Sequence, residues 1–345
     1  MIPTINSHTN WSHLEEVWLG DCYPAHFYDH LESEVRDVFY EITEKTQADL
    51  AVIQRQLKEF GVTVQRPYYH SIDQYVDPNE QLIKPHICPR DYFLVYGNNF
   101  YSRPGQDRKP WQTVLDHYQK DSRCRSIDRG DQSPVTGANT VRAGRDIYVD
   151  LGYYDCVDTD YVDHLFRDYR LHKLWNGGHI DGCFAVARPG LLITSEYYSD
   201  YDRTFPGWER INVSEPEFQQ YQLKKRSNPD HNGQWYVNQE TNGNKKFNEH
   251  IIKYAQDWVG DYTETYFEVN CLVLNETNIM MLGNNEGMAR ELERRGMTVH
   301  WAPFRTRTFW DGGLHCITLD IRRRDSMIDL FPERKDQAVF EYTNS

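Results

Sequence analysis

One unit recurs along this chain and leaves few architectures open to it: a short polar or thiol side chain, then a strand, a tight turn and a second strand. Asp91 opens Tyr-Phe-Leu-Val-Tyr-Gly97 and a partner strand through Phe100-Tyr101, and Asn139 opens Thr-Val-Arg-Ala-Gly144 and Ile147-Tyr148-Val149. Asp181 opens Gly-Cys-Phe-Ala-Val-Ala-Arg-Pro-Gly190 and Leu191-Leu-Ile-Thr, while Asn270 opens Cys-Leu-Val-Leu-Asn-Glu-Thr-Asn278 and Ile279-Met-Met-Leu. Gly, Asn and Pro at the turns are what hairpin geometry requires. The openings lie 48, 42 and 89 residues apart, and Cys316, 46 residues further on, opens a fifth strand, Ile-Thr-Leu-Asp-Ile-Arg. The long interval is two units or one carrying an insertion, and residues 228–246, rich in Asn, Gly, Lys and Gln, form that insertion and a candidate lid.

A second repeat sits between these units. Leu57-Lys-Glu-Phe-Gly61-Val-Thr-Val-Gln-Arg-Pro67 and Leu292-Glu-Arg-Arg-Gly296-Met-Thr-Val-His-Trp-Ala-Pro303 both read as a last helical turn, a C′ glycine and a short strand stopped by proline. Upstream of the first, Val35, Val38, Phe39, Ile42, Leu50, Ile53 and Leu57 recur at helical spacing. The fifth strand has no following partner, so the N-terminal strand Leu14–Leu19 is expected to pair with it and close a ring. We therefore expect residues 1–345 to form a single α/β domain of five units around an axis, with radial repetition protecting the sheet edges. Asp91, Asn139, Asp181, Asn270 and Cys316 would then converge at the axis. The bland alternative is that each is an ordinary turn residue before a strand.

Composition narrows the function. Lys plus Arg number 38 and Asp plus Glu 52, a net charge of −14, the wrong sign for gripping phosphate backbones over a broad face. Nucleic acid is not an expected partner. No segment approaches the roughly 18 consecutive apolar residues of a membrane span. The start, Met1-Ile2-Pro3-Thr4-Ile5-Asn6-Ser7, lacks a basic region followed by an apolar one. Seven dispersed cysteines without a CxxC pair suit free thiols in a reducing cytoplasm, and neither HExxH nor a histidine tract argues for a metal.

Two segments carry chemistry. In Gly177-Gly178-His179-Ile180-Asp181, alternation along a strand would put His179 and Asp181 on one side, and in Gly312-Gly313-Leu314-His315-Cys316 a thiol again follows a double glycine. Taken with Asn6, Trp11, Leu14-Glu15-Glu16-Val17, Cys88-Pro89-Arg90-Asp91, Arg142-Ala143-Gly144-Arg145-Asp146 and Ile317-Thr318-Leu319-Asp320-Ile321-Arg322-Arg323, they form a set in fixed order from residue 6 to residue 323. In these pieces the chain resembles the glycine amidinotransferase-like amidinotransferases of the guanidino-group-modifying (pentein) superfamily.

The resemblance implies a five-bladed pseudo-symmetric α/β propeller, in agreement with the repeats, and no cofactor. It implies Cys316 as nucleophile, His179 as acid/base, and Asp91 and Asp181 as carboxylates holding a guanidinium. Elementary chemistry asks for the same set. A guanidinium carbon is a poor electrophile bearing a poor amine leaving group, so it needs a thiolate to attack and a proton donor for the departing nitrogen. The resemblance also places an Asp beside the histidine where this chain has Thr136, with Asp131 as a nearby acid that could substitute. The family arginine for a substrate carboxylate falls on Tyr198, which leaves Arg203, or Arg305 and Arg307, to serve. The expected activity is transfer of an amidino group from arginine or a similar guanidino donor to an amine such as glycine. Water in place of the amine gives a hydrolase of the deiminase or dihydrolase kind, and a guanidino-binding protein with little turnover is the third reading. A homodimer is compatible with the resemblance.

Overall fold

The computed structural model describes residues 3–76, 81–102, 108–128, 135–152, 158–175, 179–195, 200–213, 244–259, 267–283 and 285–339. Strand Leu14–Leu19 (β1) is followed by the helix Ser33–Glu59 (α1) and by Thr63–Gln65 (β2), which returns parallel to β1. The next sheet is the antiparallel hairpin Phe93–Tyr96 (β3) and Asn99–Ser102 (β4), then helix Gln112–Tyr118 (α2) and the parallel strand Arg125–Asp128 (β5). The same order recurs in Thr140–Ala143 (β6), Asp146–Asp150 (β7), Thr159–Leu165 (α3) and Arg170–Leu174 (β8). It recurs again in Phe184–Arg188 (β9), Leu191–Thr194 (β10), Tyr201–Thr204 (α4) and Glu209–Asn212 (β11).

Helix Lys245–Tyr254 (α5) leads into the last full unit, Leu272–Asn275 (β12), Asn278–Leu282 (β13), Glu286–Arg294 (α6) and Thr298–Ala302 (β14). After the short helix Arg307–Trp310 (α7), Thr318–Arg323 (β15) lies antiparallel to β1, pairing Val17 with Asp320, Trp18 with Leu319 and Leu19 with Thr318. The first sheet thus has the plan of the other four, its hairpin being made from the two ends of the chain. The five-bladed α/β propeller and the closure of the ring by Leu14–Leu19 agree with the sequence reading.

Local chemistry explains the elements. The spacing of Val35, Phe39, Ile42, Leu50, Ile53 and Leu57 buries one face of α1, with Val38 at its margin. Gly61 and Gly296 end α1 and α6 with φ of +79° and +77°, a conformation costly for any residue with a Cβ, and the chain turns directly into β2 and β14. Phe39 of α1 meets Phe247 of α5 edge to face at 5.0 Å, and Trp18 of β1 stacks on Trp111 at 4.2 Å, so apolar burial joins neighbouring elements. The candidate lid 228–246 lies outside the described residues except for its last three, which belong to the start of α5.

The centre of the ring is ionic. Asp320 on β15 is 1 % exposed and is bonded by three guanidinium groups: Arg90, Arg142 and Arg323, the last at 2.7 Å. Each arginine also donates to carbonyls of other segments: Arg90 to His315 O and Thr318 O, Arg142 to Val95 O, and Arg323 to Val273 O and Ser12 O. Burial alone would raise the Asp320 pKa, but Arg142, Arg90 and Arg323 outweigh it and hold the carboxyl well below its ordinary range.

Candidate active site

The polar residues expected at the axis stand one turn ahead of the strands. Asp91 ends the 3-10 turn Pro89–Asp91, Asp181 lies in the 3-10 turn Ile180–Gly182, and Cys316 sits in the turn before β15, two residues short of its first residue. The strand alternation expected for His179 and Asp181 is replaced by this turn: His179 O accepts from Gly182 N at 3.0 Å and Ile180 O from Cys183 N at 2.9 Å, which winds the backbone too tightly for a strand. His179 is the N-cap of that turn and is exposed.

Cys316 is held by two of the expected residues. Asn270 donates through Nδ2 to Cys316 Sγ at 3.0 Å and accepts through Oδ1 from Cys316 N at 3.0 Å, a reciprocal clamp. The thiol itself donates to Asp181 Oδ2 at 3.5 Å. The double glycine makes the space: a Cβ on Gly313 would stand 2.5 Å from Asn270 Oδ1, and one on Gly312 2.7 Å from Cys88 Sγ.

His315, adjacent to the thiol, enters through Asp181. Its Nδ1 lies 2.8 Å from Asp181 Oδ2 and its Nε2 3.3 Å from Asn10 Nδ2. Because the asparagine amide can only donate, Nε2 accepts and Nδ1 carries the proton given to Asp181. Burial, with help from Arg90, lowers the His315 pKa to about 4 against the pull of Asp181, which keeps this imidazole neutral. Burial would raise the Asp181 pKa, yet the hydrogen bond from His315 and the positive surroundings supplied by His179 and Arg90 leave it lowered.

Asp91 behaves oppositely. Burial raises its carboxyl to about 6, with Asp181 and Asp311 acting in the same direction and His179 and Lys84 opposing. Oδ1 of Asp91 and Oδ1 of Asp181 are buried and accept no hydrogen bond among the described residues. Two such buried acceptors suit a planar cation that donates several N–H groups. The Cys316 thiol is pushed well up by burial and by Asp181, Asp91 and Cys88, with Asn270 opposing, so the free protein holds it protonated. An arriving cation reverses the local charge that keeps it so.

Asp91 therefore couples stability to pH. Its folded pKa lies above the unfolded value, so the native state binds its proton more tightly. That contribution is complete below about pH 4 and is lost as pH rises through about 6. Asp91→Asn is expected to exceed the parent in stability by about 1–3 kcal/mol at pH 8 and to match it near pH 4, as read from urea midpoints at the two pH values.

The remaining expected residues lie elsewhere. Thr136 is buried, and its N and Oγ1 donate to Asn139 Oδ1 at 2.7 and 3.2 Å, while Asn139 Nδ2 donates to Asp150 O. Asp131 and Tyr198 fall outside the described residues. Arg305 is tied to Asp49 at 2.9 Å with over half its side chain exposed, and Arg203 faces Asp200 at 3.7 Å. Arg307 stacks over Phe267 at 5.3 Å. The sequence reading passed over His315 as a partner of Asp181, and it passed over Lys84 and Asp311. His315 stood inside the quoted Gly312–Cys316 segment, but nothing in that segment signalled a bond to a residue 134 positions away. Among the described residues no three His, Cys, Asp or Glu side chains are grouped as a metal ion would require, and no helix is long and apolar enough to cross a membrane.

No family model matches the chain. It is 23 % identical to the mitochondrial glycine amidinotransferase of Gallus gallus over 94 % of this chain and 84 % of that protein. It is 24 % identical to inosamine-phosphate amidinotransferase 1 of Streptomyces griseus over 92 % and 97 %. Among solved structures, an amidinotransferase of saxitoxin biosynthesis from Microseira wollei superposes with a TM-score of 0.68 at 19 % identity, covering 95 % of this chain and all of that one. A dimethylarginine dimethylaminohydrolase from Pseudomonas aeruginosa superposes at 0.53 with 13 % identity, covering 89 % and 99 %.

Proposed function

We propose that this chain, similar over nearly its whole length to the amidinotransferases of the pentein superfamily, moves an amidino group from L-arginine or a similar guanidino donor to an amine acceptor such as glycine. The observation that carries the reading is the setting of Cys316: clamped by Asn270, 3.5 Å from Asp181, and under the electrostatic influence of Asp91, with one oxygen of each carboxylate accepting no hydrogen bond among the described residues.

In this reading Asp91 and Asp181 take the guanidinium, and its charge offsets the two carboxylates that hold the thiol protonated. The Cys316 proton passes to His179, and the thiolate attacks the guanidinium carbon. A C–S bond forms, the C–N bond to the donor's amine breaks, and His179 returns the proton to the leaving nitrogen. The acceptor amine then attacks the amidino carbon, so that a C–N bond forms and the C–S bond breaks, and the proton the amine gives to His179 passes on to the Cys316 thiolate. His315 and Asn10 keep Asp181 oriented throughout. Residues 1–345 act in this scheme as one catalytic unit.

Intact mass measurement after mixing with arginine is expected to find one amidino group on the chain and none on Cys316→Ala. Discharge only by an added amine supports transfer. A chain that stays unmodified while arginine is untouched overturns the reading.

With its hydroxyl given to Asn139, Thr136 supplies no carboxylate to steady a protonated His179, which favours a guanidino-binding protein with little turnover as the third reading. A hydrolase, in which water resolves the same intermediate, is the runner-up. Ammonia or citrulline released without an added amine would identify that outcome.

A further inference from the structure

A cavity of about 420 Å³ is lined by Gln81, Leu82, Ile83, Lys84, Lys253, Tyr254 and Asp257. Its walls come from two unrelated parts of the chain. The segment before Asp91 supplies Lys84, while the end of α5 and the 3-10 turn Gln256–Trp258 after it supply Lys253, Tyr254 and Asp257. Lys253 lies over the Tyr254 ring with Nζ 4.5 Å from its centroid, so one ammonium is held against an aromatic face at the wall.

Lys84 joins this cavity to the nucleophile's surroundings. Burial works against its charge, but Tyr92, Cys88, Asp91 and Asp311 outweigh it and hold its pKa above the ordinary value. The ammonium therefore stays charged, and the same lysine lines the cavity and acts electrostatically on the Asp91 carboxylate. Two cations, one carboxylate and a phenol hydroxyl complement a zwitterion better than a phosphate dianion, which would meet Asp257 with the same sign. Amino-acid donors carry such a zwitterion at the end remote from the guanidinium.

We propose that this cavity is the subsite for the α-amino-acid end of the guanidino donor, with the α-carboxylate between Lys84 and Lys253 and the α-ammonium on Asp257. Lys84 is then the residue that selects donors bearing a carboxylate. The inference rests on the guanidino reading of the Cys316 site and adds to it where the rest of the donor lies.

Calorimetry on Cys316→Ala protein, which cannot turn over, tests the subsite with L-arginine and with agmatine, which lacks the carboxylate. Arginine is expected to bind about 10- to 100-fold more tightly than agmatine, the value of one charge-assisted contact. Adding Lys84→Met should remove that preference by weakening arginine alone, and Lys84→Arg should restore most of it. Lys253→Met, on an exposed side chain that folding does not need, should weaken arginine by about 3- to 10-fold and leave agmatine unchanged. Equal binding of the two compounds by the parent, binding of neither, or equal weakening of both by Lys84→Met would overturn the subsite. The guanidino reading fails separately: wild-type protein would then form no adduct with either compound. An adduct formed equally well from both would sink the subsite and leave the chemistry standing.

Discussion

Asp320→Asn is expected to destabilise the protein by about 3–5 kcal/mol, seen as a large fall in the urea midpoint or as failure to accumulate folded chain. The aspartate is the counter-charge shared by Arg90, Arg142 and Arg323, all nearly inaccessible to water. Replacing it leaves three buried cations around a neutral amide. The damage would not stay local, because the same arginines hold carbonyls at Val95, Val273, His315 and Ser12. The pH dependence has a definite sign. Since the folded carboxyl lies well below its ordinary range, its contribution is fully present above about pH 4 and is lost only as pH falls towards the depressed value. Ser7→Ala offers a gentler check: its hydroxyl reaches Asp320 at 3.3 Å, and its loss should cost about 1 kcal/mol without unfolding the chain.

Asp181→Asn should separate two properties that usually move together. Formation of the amidino adduct is expected to fall by about 10³-fold or more, because the amide neither balances the guanidinium charge nor offers it two acceptors. Alkylation of the free protein at Cys316 should become faster, since Asp181 is the largest neighbouring charge holding that thiol protonated. Stability should change little, as an asparagine oxygen can still accept from His315 Nδ1. The check is a paired measurement of adduct yield with arginine and of iodoacetamide labelling at fixed pH. Slower labelling, or an adduct rate near the parent's, would contradict the arrangement.

Much of this was legible in the sequence because the fold is periodic. Strand, turn and strand repeated with Gly97, Gly144 and Gly190 at the bends, so the blades and the closure by Leu14–Leu19 followed from spacing. Cys316, Asn270, Asp181 and Asp91 could be grouped because equivalent positions of a ring face one axis. Asn139 shares that position, but its side chain is spent on Thr136 and on Asp150 O.

What stayed hidden depends on distances between residues with no common period. Lys84 belongs to an irregular segment with no counterpart in the other blades, and the bond from His315 to Asp181 joins two turns that the sequence reading treated separately. The arginines show the same limit. Pairs three or four residues apart on a helix can be judged from spacing, but whether Arg305 meets a ligand or Asp49, 256 positions away, cannot.

The pairing of β1 with β15 has a consequence for how the molecule comes into being. On the ribosome, four blades can form while the hairpin of the first is still incomplete, because β15 emerges after every strand of the other four. Cys316, the nucleophile of the proposed reaction, lies two residues before that strand. A nascent or prematurely ended chain therefore carries Asp91 and Asp181 but not Cys316 beside them, and the proposed site is completed in a single event when β15 docks. That event joins residues some 300 positions apart, the kind of contact that makes folding slow.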